Sequence, residues 1–177
     1  MRVCLTSRYY LLQRWLSGQI TCAMMDVRMC WSRHAREPGE KMAEGYSETP
    51  LARKLGIKAG FRMCVIDPPE HYWDLLGDLP ANVSLHESGE GSLDLIHLFV
   101  KDKTLLEKYI GTLRQCILPT GMIWVSWPKK SSRVATNLSE DIIRDLALKG
   151  ALVDTKVCAV DETWSGLKLV IRLRDRS

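Results

Sequence analysis

The stretch that decides the fold is FRMCVIDPPEHYW, residues 61–73. Its first half, Phe61 to Ile66, is mostly apolar, which is typical of a strand that is covered on both faces in a parallel sheet. Its second half predicts a helix over EHYWDLLGDL, residues 70–79, because Pro69 suits the first position of a helix. A buried strand that runs directly into a helix predicts an α/β fold.

The chain after this stretch continues to alternate strands and helices. We expect a short strand in NVSLHE (82–87) and longer apolar strands in SLDLIHLFV (92–100) and GMIWVSWP (121–128). A helix with apolar residues at helical spacing lies between the last two strands, and Asp102 is placed to cap it. Alternating strands and helices imply right-handed crossovers and a parallel sheet.

The last third of the chain departs from this alternation. Asn137 and Glu140 have the spacing of a capping box, so we expect one more helix before Gly150. The strand-like runs ALVDTKVCAV (151–160) and GLKLVIRLR (166–174) follow, and the link between them is too short for a helix. They therefore predict an antiparallel hairpin. The expected fold is a Rossmann-like three-layer α/β sandwich whose mostly parallel sheet is closed by this hairpin.

The basic excess of the chain lies entirely in its first 41 residues. Of the 25 Lys and Arg and the 21 Asp and Glu, seven and three fall before Met42, which leaves 18 of each after it. We therefore interpret residues 1–41 as a wrongly assigned or disordered N-terminal extension, with an organelle transit peptide as the alternative. Residues 42–177 are expected to form one Rossmann-like domain.

Composition also excludes several classes of function. No apolar run before Met42 is long enough to span a membrane, so no membrane partner is expected. The neutral charge of residues 42–177 argues against nucleic-acid binding. The cysteines have no spacing typical of a metal site or a disulfide framework, which favours the cytoplasm. His71, His86 and His97 likewise lack metal-ligand spacing, so no metal site is predicted.

Part of the chain resembles the class I S-adenosylmethionine-dependent methyltransferases. LDLIHLFV, the helix after it and LPTGMIWVSW are similar to the fourth strand, helix and fifth strand of those enzymes, over roughly residues 61–174. About six residues separate VSLH from LDLIHL, so one strand–helix unit of that fold is expected to be missing. The resemblance implies a reduced methyltransferase-like fold, and S-adenosylmethionine as a cofactor to be considered.

A second resemblance covers nearly everything after Met42. GYSETPLARKLGIK, WVSWPKK and VDTKVCAVDETWSGLK are similar to a bacterial family known as domain of unknown function 3052 (DUF3052). Members of that family begin just before the GYS-TPLA segment, which favours a natural start at Met42. The resemblance implies a bacterial protein, and it implies no activity.

The turn DPPE, Asp67 to Glu70, stands where dinucleotide-binding folds place glycines. Phosphate cradles need backbone N–H groups, but Pro68 and Pro69 have none, and the two carboxylates repel phosphate. S-adenosylmethionine carries a sulfonium and an ammonium group, so this turn opposes it less strongly. Glu87 lies 20 residues after Asp67, where related folds keep an acid for ribose hydroxyls, although an exposed loop carboxylate is the simpler interpretation.

Unusual residues gather after the predicted strands. If the sheet is parallel up to its last strand, DPPE, VKD, WPKK and DETWSG all emerge at the carboxyl ends of strands, where open α/β sheets bind ligands. His71 and Lys130 also belong to these loops. The ligand-binding candidates are Asp67, Glu70, Glu87, Lys129, Asp161, Glu162, Trp164 and Lys168. Each has an ordinary structural interpretation as a solvated loop residue, a turn residue or packing.

Two functional hypotheses follow from these observations. The first is a non-catalytic or degenerate methyltransferase-like domain that binds a small polar ligand or a protein partner at this edge of the sheet. The second is an active S-adenosylmethionine-dependent methyltransferase with a shortened fold, since methyl transfer needs mainly positioning. No catalytic residue can be assigned from the sequence, so whether the protein is an enzyme stays open.

Overall fold

A computed structural model of the chain describes residues 49–86 and 91–176, all within one compact unit, Glu48–Ser177. Helices and strands alternate along most of it, as the sequence predicts. The elements are α1 (Leu51–Leu55), β1 (Arg62–Ile66), α2 (Tyr72–Leu76), β2 (Ser84–Leu85), β3 (Leu93–Phe99), α3 (Lys103–Cys116), β4 (Ile117–Pro128), α4 (Glu140–Lys149), β5 (Leu152–Ala159) and β6 (Trp164–Ile171). Short 3-10 turns follow β4 and β6.

One sheet of six strands forms the centre of the described residues, in the order β2-β1-β3-β4-β6-β5. The pairs β2–β1, β1–β3 and β3–β4 are parallel. Strand β6 inserts between β4 and β5 and is antiparallel to both. The predicted fold class is therefore confirmed: a mixed Rossmann-like sheet, parallel on one side and closed by an antiparallel hairpin.

Helices cover both faces of this sheet, which explains the near-continuous apolar strands. On one face, α1 and α2 pack on a core that includes Met63, Leu95 and Trp124. Helices α3 and α4 lie against each other, so closely that a Cβ added to Gly150 at the end of α4 would lie 3.6 Å from Ile110 of α3. Ile123 of β4, on the face of the sheet opposite Trp124, is fully buried, so the second face is covered as well.

A hydrogen bond from Trp124 connects helix α1 to the middle of the sheet. The indole N–H of Trp124 donates to the carbonyl of Leu55 at 3.0 Å, and Trp124 is fully buried. The helix ends at Gly56, whose φ of 77° is the left-handed conformation that favours glycine. The carbonyl that accepts from Trp124 is thus one of the last of the helix, where carbonyls lack helical partners.

Two elements are shorter than the sequence predicts. The helix expected over residues 70–79 spans only Tyr72–Leu76, and Pro69 precedes it by three residues. The strand expected in NVSLHE is reduced to Ser84–Leu85, with both residues exposed. Edge strands are commonly short, because a short edge offers few unpaired backbone groups.

The capping box predicted for α4 is wrong. Ser139 is the N-cap, and its hydroxyl accepts a hydrogen bond from the N–H of Ile142. Asn137 instead serves the start of α3: its side-chain oxygen accepts from the N–H of Lys103 at 2.7 Å, and its amide donates to Asp102 at 2.9 Å. Asp102 caps α3 as predicted, accepting from the N–H of Leu105.

The cysteines of the described residues are thiols. Cys64 and Cys116 are buried and Cys158 is half-buried. None of the helices in residues 49–86 and 91–176 is long and apolar enough to cross a membrane. The same residues contain no group of three or more His, Cys, Asp or Glu side chains placed to hold a metal ion.

Candidate functional site

The loops at the carboxyl ends of the parallel strands do meet, and we call this surface the rim: residues 67–71, 99–102, 128–132 and 160–164. Backbone hydrogen bonds connect the second segment to β4 and the third segment to the fourth. The N–H of Val100 donates to the carbonyl of Ser126 at 2.9 Å, and the N–H of Lys129 donates to that of Thr163 at 2.7 Å. The end of β3, the end of β4 and the β5–β6 turn are therefore held in register.

Asp161 is the centre of the polar contacts on the rim. One carboxylate oxygen accepts from the backbone N–H groups of Thr163 and Trp164, which closes the hairpin turn. The other lies 2.8 Å from Nε2 of His71. The carbonyl of Asp161 accepts from the ammonium of Lys129 at 2.6 Å. A single buried residue thus joins the turn after β1, the end of β4 and the hairpin.

The His71–Asp161 pair is solvent-exposed on one side only. The side chain of His71 is 53% exposed, whereas that of Asp161 is 9% exposed. The imidazole therefore presents its outer edge to solvent while its inner nitrogen contacts the carboxylate. This arrangement gives the rim an exposed titratable group whose position is fixed by a buried partner.

Aromatic rings form a layer beneath these polar contacts. Trp164 is 7% exposed and packs edge-on against Phe99, with ring centroids 5.1 Å apart. Phe99 stacks on His97 at 4.4 Å and meets Tyr72 edge-on at 5.2 Å. The ammonium of Lys101 lies 5.9 Å from the centroid of Trp164, within the range of a cation–π contact.

A buried chain of hydrogen bonds lies below the aromatic layer. The hydroxyl of Tyr72 is 2.9 Å from Nδ1 of His97, and Nε2 of His97 is 2.8 Å from the hydroxyl of Ser126. All three residues are fully buried. Burial lowers the pKa of His97 from 6.5 to about 3 and raises that of the Tyr72 hydroxyl. The chain is therefore neutral, and it satisfies buried polar groups rather than exposing a nucleophile.

The turn after β1 reverses the chain through Asp67. Its φ is 51°, in the left-handed region that aspartate tolerates better than most residues other than glycine. Pro68 and Pro69 follow, and the carbonyl of Pro69 accepts from the N–H of Tyr72. Aspartate thus takes the conformation that glycine adopts without strain, and the turn keeps a side chain and lacks two backbone donors.

The structure brings only some of the predicted site residues into contact. His71, Lys129, Asp161 and Trp164 meet on the rim, as expected. Asp67, Glu70 and Glu162 are exposed within the same loops, and the 3-10 turn after β4 begins at Lys130. Glu87 lies outside the described residues.

The expectation that Lys168 lies on the rim is wrong. It stands four residues into β6, about 13 Å along a strand from Trp164, and pairs with Trp124 and Lys156 in the middle of the sheet. The hairpin turn ends at residue 163 and β6 continues away from the rim. The predicted position of the turn is correct, but the predicted rim included Lys168, which belongs to β6.

Sequence reasoning missed Tyr72, Phe99 and Ser126 as parts of the site, and it placed Lys101 in the loop VKD without naming it as a candidate. One signal was available: His97 is a lone polar residue in the apolar run LDLIHLFV, and a buried imidazole needs hydrogen-bond partners. Those partners lie 25 and 29 residues away along the chain, so the signal does not identify them.

The fold is similar to that of methyltransferases of known structure. Mitomycin 7-O-methyltransferase MmcR superposes with a TM-score of 0.54 at 8% identity, over 70% of this chain and 53% of that enzyme. An S-adenosylmethionine-dependent methyltransferase from Aquifex aeolicus gives 0.49 at 14% identity, over 69% and 88%. Magnesium protoporphyrin IX methyltransferase from Synechocystis, solved with bound S-adenosylmethionine, gives 0.45 at 10% identity, over 69% and 74%.

The strand order of the sheet and the similarity to MmcR define the class of fold: a methyltransferase-like Rossmann domain. Identities this low show the fold alone, and the chain spans about half of MmcR. No family model matches the chain, and no curated protein matches it either. Membership of the DUF3052 family therefore stays a prediction.

The residues after β1 do not fit S-adenosylmethionine, because they do not form a loop whose backbone can approach the cofactor closely. In related nucleotide-binding folds this turn uses glycine so that the backbone can approach the ligand. Here Asp67 carries a side chain in the left-handed conformation, and Pro68 and Pro69 bring rings to the same surface.

Proposed function

We propose that this protein is a non-catalytic methyltransferase-like domain that binds a small polar ligand at the rim. The observation that carries the proposal is the Asp67–Pro68–Pro69 turn, which replaces a glycine loop with side chains and removes two backbone donors. A methyltransferase-like sheet without this loop keeps the carboxyl-end surface where open α/β sheets bind ligands. It lacks the means to hold a nucleotide-like cofactor closely.

The chemistry of the rim supports a ligand with charges of both signs. His71 and Lys101 offer donors or positive charge at the surface, and Glu70 and Glu162 offer exposed carboxylates. The layer below is built from Asp161 and the aromatic rings, whose contacts within the fold keep it rigid. A preorganised floor with exposed charges around it favours a small zwitterion, because little ordering cost is added on binding.

Cofactor binding is the first test of this proposal. We expect calorimetric titration of the purified full chain with S-adenosylmethionine and S-adenosylhomocysteine to show no saturable binding at millimolar ligand. The turn after β1 lacks the backbone donors and close approach that would supply the affinity. The matched variant Glu87→Ala is expected to give the same heat trace as the natural chain.

Saturable binding that Glu87→Ala weakens would contradict the proposal and favour the alternative, an active methyltransferase with a shortened fold. Glu87 would then serve the cofactor, and a search for methyl acceptors would follow. S-adenosylmethionine is the cofactor to test because MmcR, which has a similar fold, is a methyltransferase. The cytoplasmic location and the bacterial origin remain proposals alongside this one.

A second experiment addresses the rim itself. We expect amino acids and other small zwitterions, screened by thermal shift, to include compounds that raise the unfolding temperature of the natural chain. Changing His71→Gln together with Lys101→Met is expected to abolish the shift, because both side chains face solvent at the rim. An equal shift in this double variant, or no stabilising compound at all, would leave a protein partner as the better occupant.

A further inference from the structure

A group of lysines meets on the face of the sheet that carries α1, away from the rim. We call it the lysine corner: Lys54 and Lys58 from α1 and the loop after it, Lys156 from β5 and Lys168 from β6. Lys156 and Lys168 are directly opposed across the antiparallel pair. The ammonium of Lys156 donates to the carbonyl of Lys54 at 2.9 Å, which fixes Lys156 against the end of α1.

The direct opposition of Lys156 and Lys168 is unfavourable for the protein alone. Like charges directly opposite one another across two strands are destabilising. Burial lowers the pKa of Lys168, and the nearby charges of Lys156 and Lys58 lower it further. Cys158 lies on β5, two residues after Lys156, and burial raises the pKa of its thiol against the opposing effect of Lys156 and Lys54. The charged groups identified around Lys168 in the described residues are therefore cations.

A bound anion would offset the repulsion between these lysine ammonium groups. Lysine ammonium groups bind phosphate as compact point charges, and their rotatable donors adapt to its oxygens. Lys168 is half-buried beside Trp124, so water screens its charge less than that of an exposed lysine. Lys58 is exposed in a loop, which leaves the corner open to solvent.

We propose that the lysine corner is a second binding site, which takes a small anion with at least two negative charges, such as a phosphate-bearing molecule. Lys168 and Lys58 contact the anion, and Lys156, held by the carbonyl of Lys54, adds the field of a fixed charge. The site is separate from the rim, since Lys168 lies about 13 Å along β6 from Trp164.

Calorimetric titration of the full chain with inorganic pyrophosphate tests this site. We expect one saturable site, and we expect Lys168→Met to weaken it at least tenfold, because methionine keeps the length of the side chain without its charge. Lys58→Met, in an exposed loop, is expected to weaken it several-fold and keeps the test valid if Lys168→Met does not fold.

The control is Lys108→Met, which removes the same charge from the exposed side of α3 and is expected to leave binding unchanged. Absence of saturable binding to pyrophosphate at about 10 mM, a concentration that would detect even a site of millimolar affinity, would overturn the proposal. So would equal weakening by all three variants, which would indicate general charge. Tighter, steeply salt-dependent binding of an oligonucleotide that pyrophosphate does not displace would also overturn it, in favour of nucleic acid.

Discussion

At the scale of single residues, His97 shows what the sequence predicts and what it does not. Its position in LDLIHLFV predicts burial, because the residues on both sides of it, Ile96 and Leu98, and most of the run are apolar, as in a covered strand. Burial of an imidazole requires partners for both nitrogens, and Tyr72 and Ser126 provide them. Those partners come from α2 and β4, so the contact depends on the folded arrangement and on no local pattern.

The buried imidazole makes the stability of the protein depend on pH. The pKa of His97 is about 3 in the folded state against 6.5 ordinarily. The folded state therefore favours neutral His97, whose contribution is fully present above pH 6.5 and is lost as the pH falls toward 3. At ~1.4 kcal/mol for each tenfold change in proton affinity, that loss is on the order of 4 to 5 kcal/mol.

We expect chemical denaturation at several pH values to show this dependence. The free energy of unfolding of His97→Gln should fall less between pH 6.5 and 4 than that of the natural chain, because glutamine does not titrate. His86→Gln is the matched control, since His86 is in the exposed β2 region and bonds to Ser84. Parallel pH profiles for His97→Gln and the natural chain would show that His97 contributes nothing to acid sensitivity.

At the scale of elements, the ends of helices were harder to predict than the helices. Gly150 was expected to end α4, and it does follow the last helical residue, but its φ is −83°. The left-handed residue is Ala151, at φ 56°. Glycine propensity predicts where a helix stops. Which residue takes the left-handed conformation depends on the direction in which the chain must turn from α4 into β5.

Replacement of Ala151 by glycine tests this geometry. We expect Ala151→Gly to raise the free energy of unfolding by about 0.5 to 1 kcal/mol, because the left-handed strain of alanine exceeds the entropy cost of glycine. Ala147→Gly, in the buried interior of the same helix, should lower it by about 1 kcal/mol or more. Thermal or urea unfolding measures both, and loss of stability in Ala151→Gly would contradict the assigned conformation.

A bulge in β5 explains why the lysine corner was not foreseen. Simple alternation places Asp154 and Lys156 on one face of a strand, but the register shifts between them. Asp154 therefore pairs with Arg144 of α4 at 3.0 Å, while Lys156 reaches Lys54 beside α1. A bulge leaves no clear mark in the sequence, so the assignment of residues to faces fails at this point.

At the scale of the whole molecule, the order of elements predicted the fold and located the rim. Right-handed crossovers and one closing hairpin leave few arrangements of the strands, which is why the mixed sheet could be anticipated. The side-chain contacts on the rim could not be predicted from the sequence. His71 and Asp161 are 90 residues apart, and their meeting depends on loop conformations that no short pattern encodes.

The predicted start at Met42 leads to a test of the domain boundary. We expect residues 42–177 alone to unfold at the same temperature as the full chain, within about 2 °C, because the core described between residues 49 and 176 is retained. Calorimetry or circular dichroism of both chains measures this. A clear drop in the unfolding temperature would show that residues 1–41 contribute to the folded structure.

The hydrogen bond from Trp124 to Leu55 sets how far such shortening can go. A chain cut after Gly56 would keep all six strands and still leave an indole N–H unpaired at the centre of the sheet, at a cost of about 1 to 3 kcal/mol. It would also uncover the core surface that Leu51 and Leu55 shield. Limited proteolysis should therefore stop before α1, so the protease-resistant fragment includes α1 and does not begin at β1.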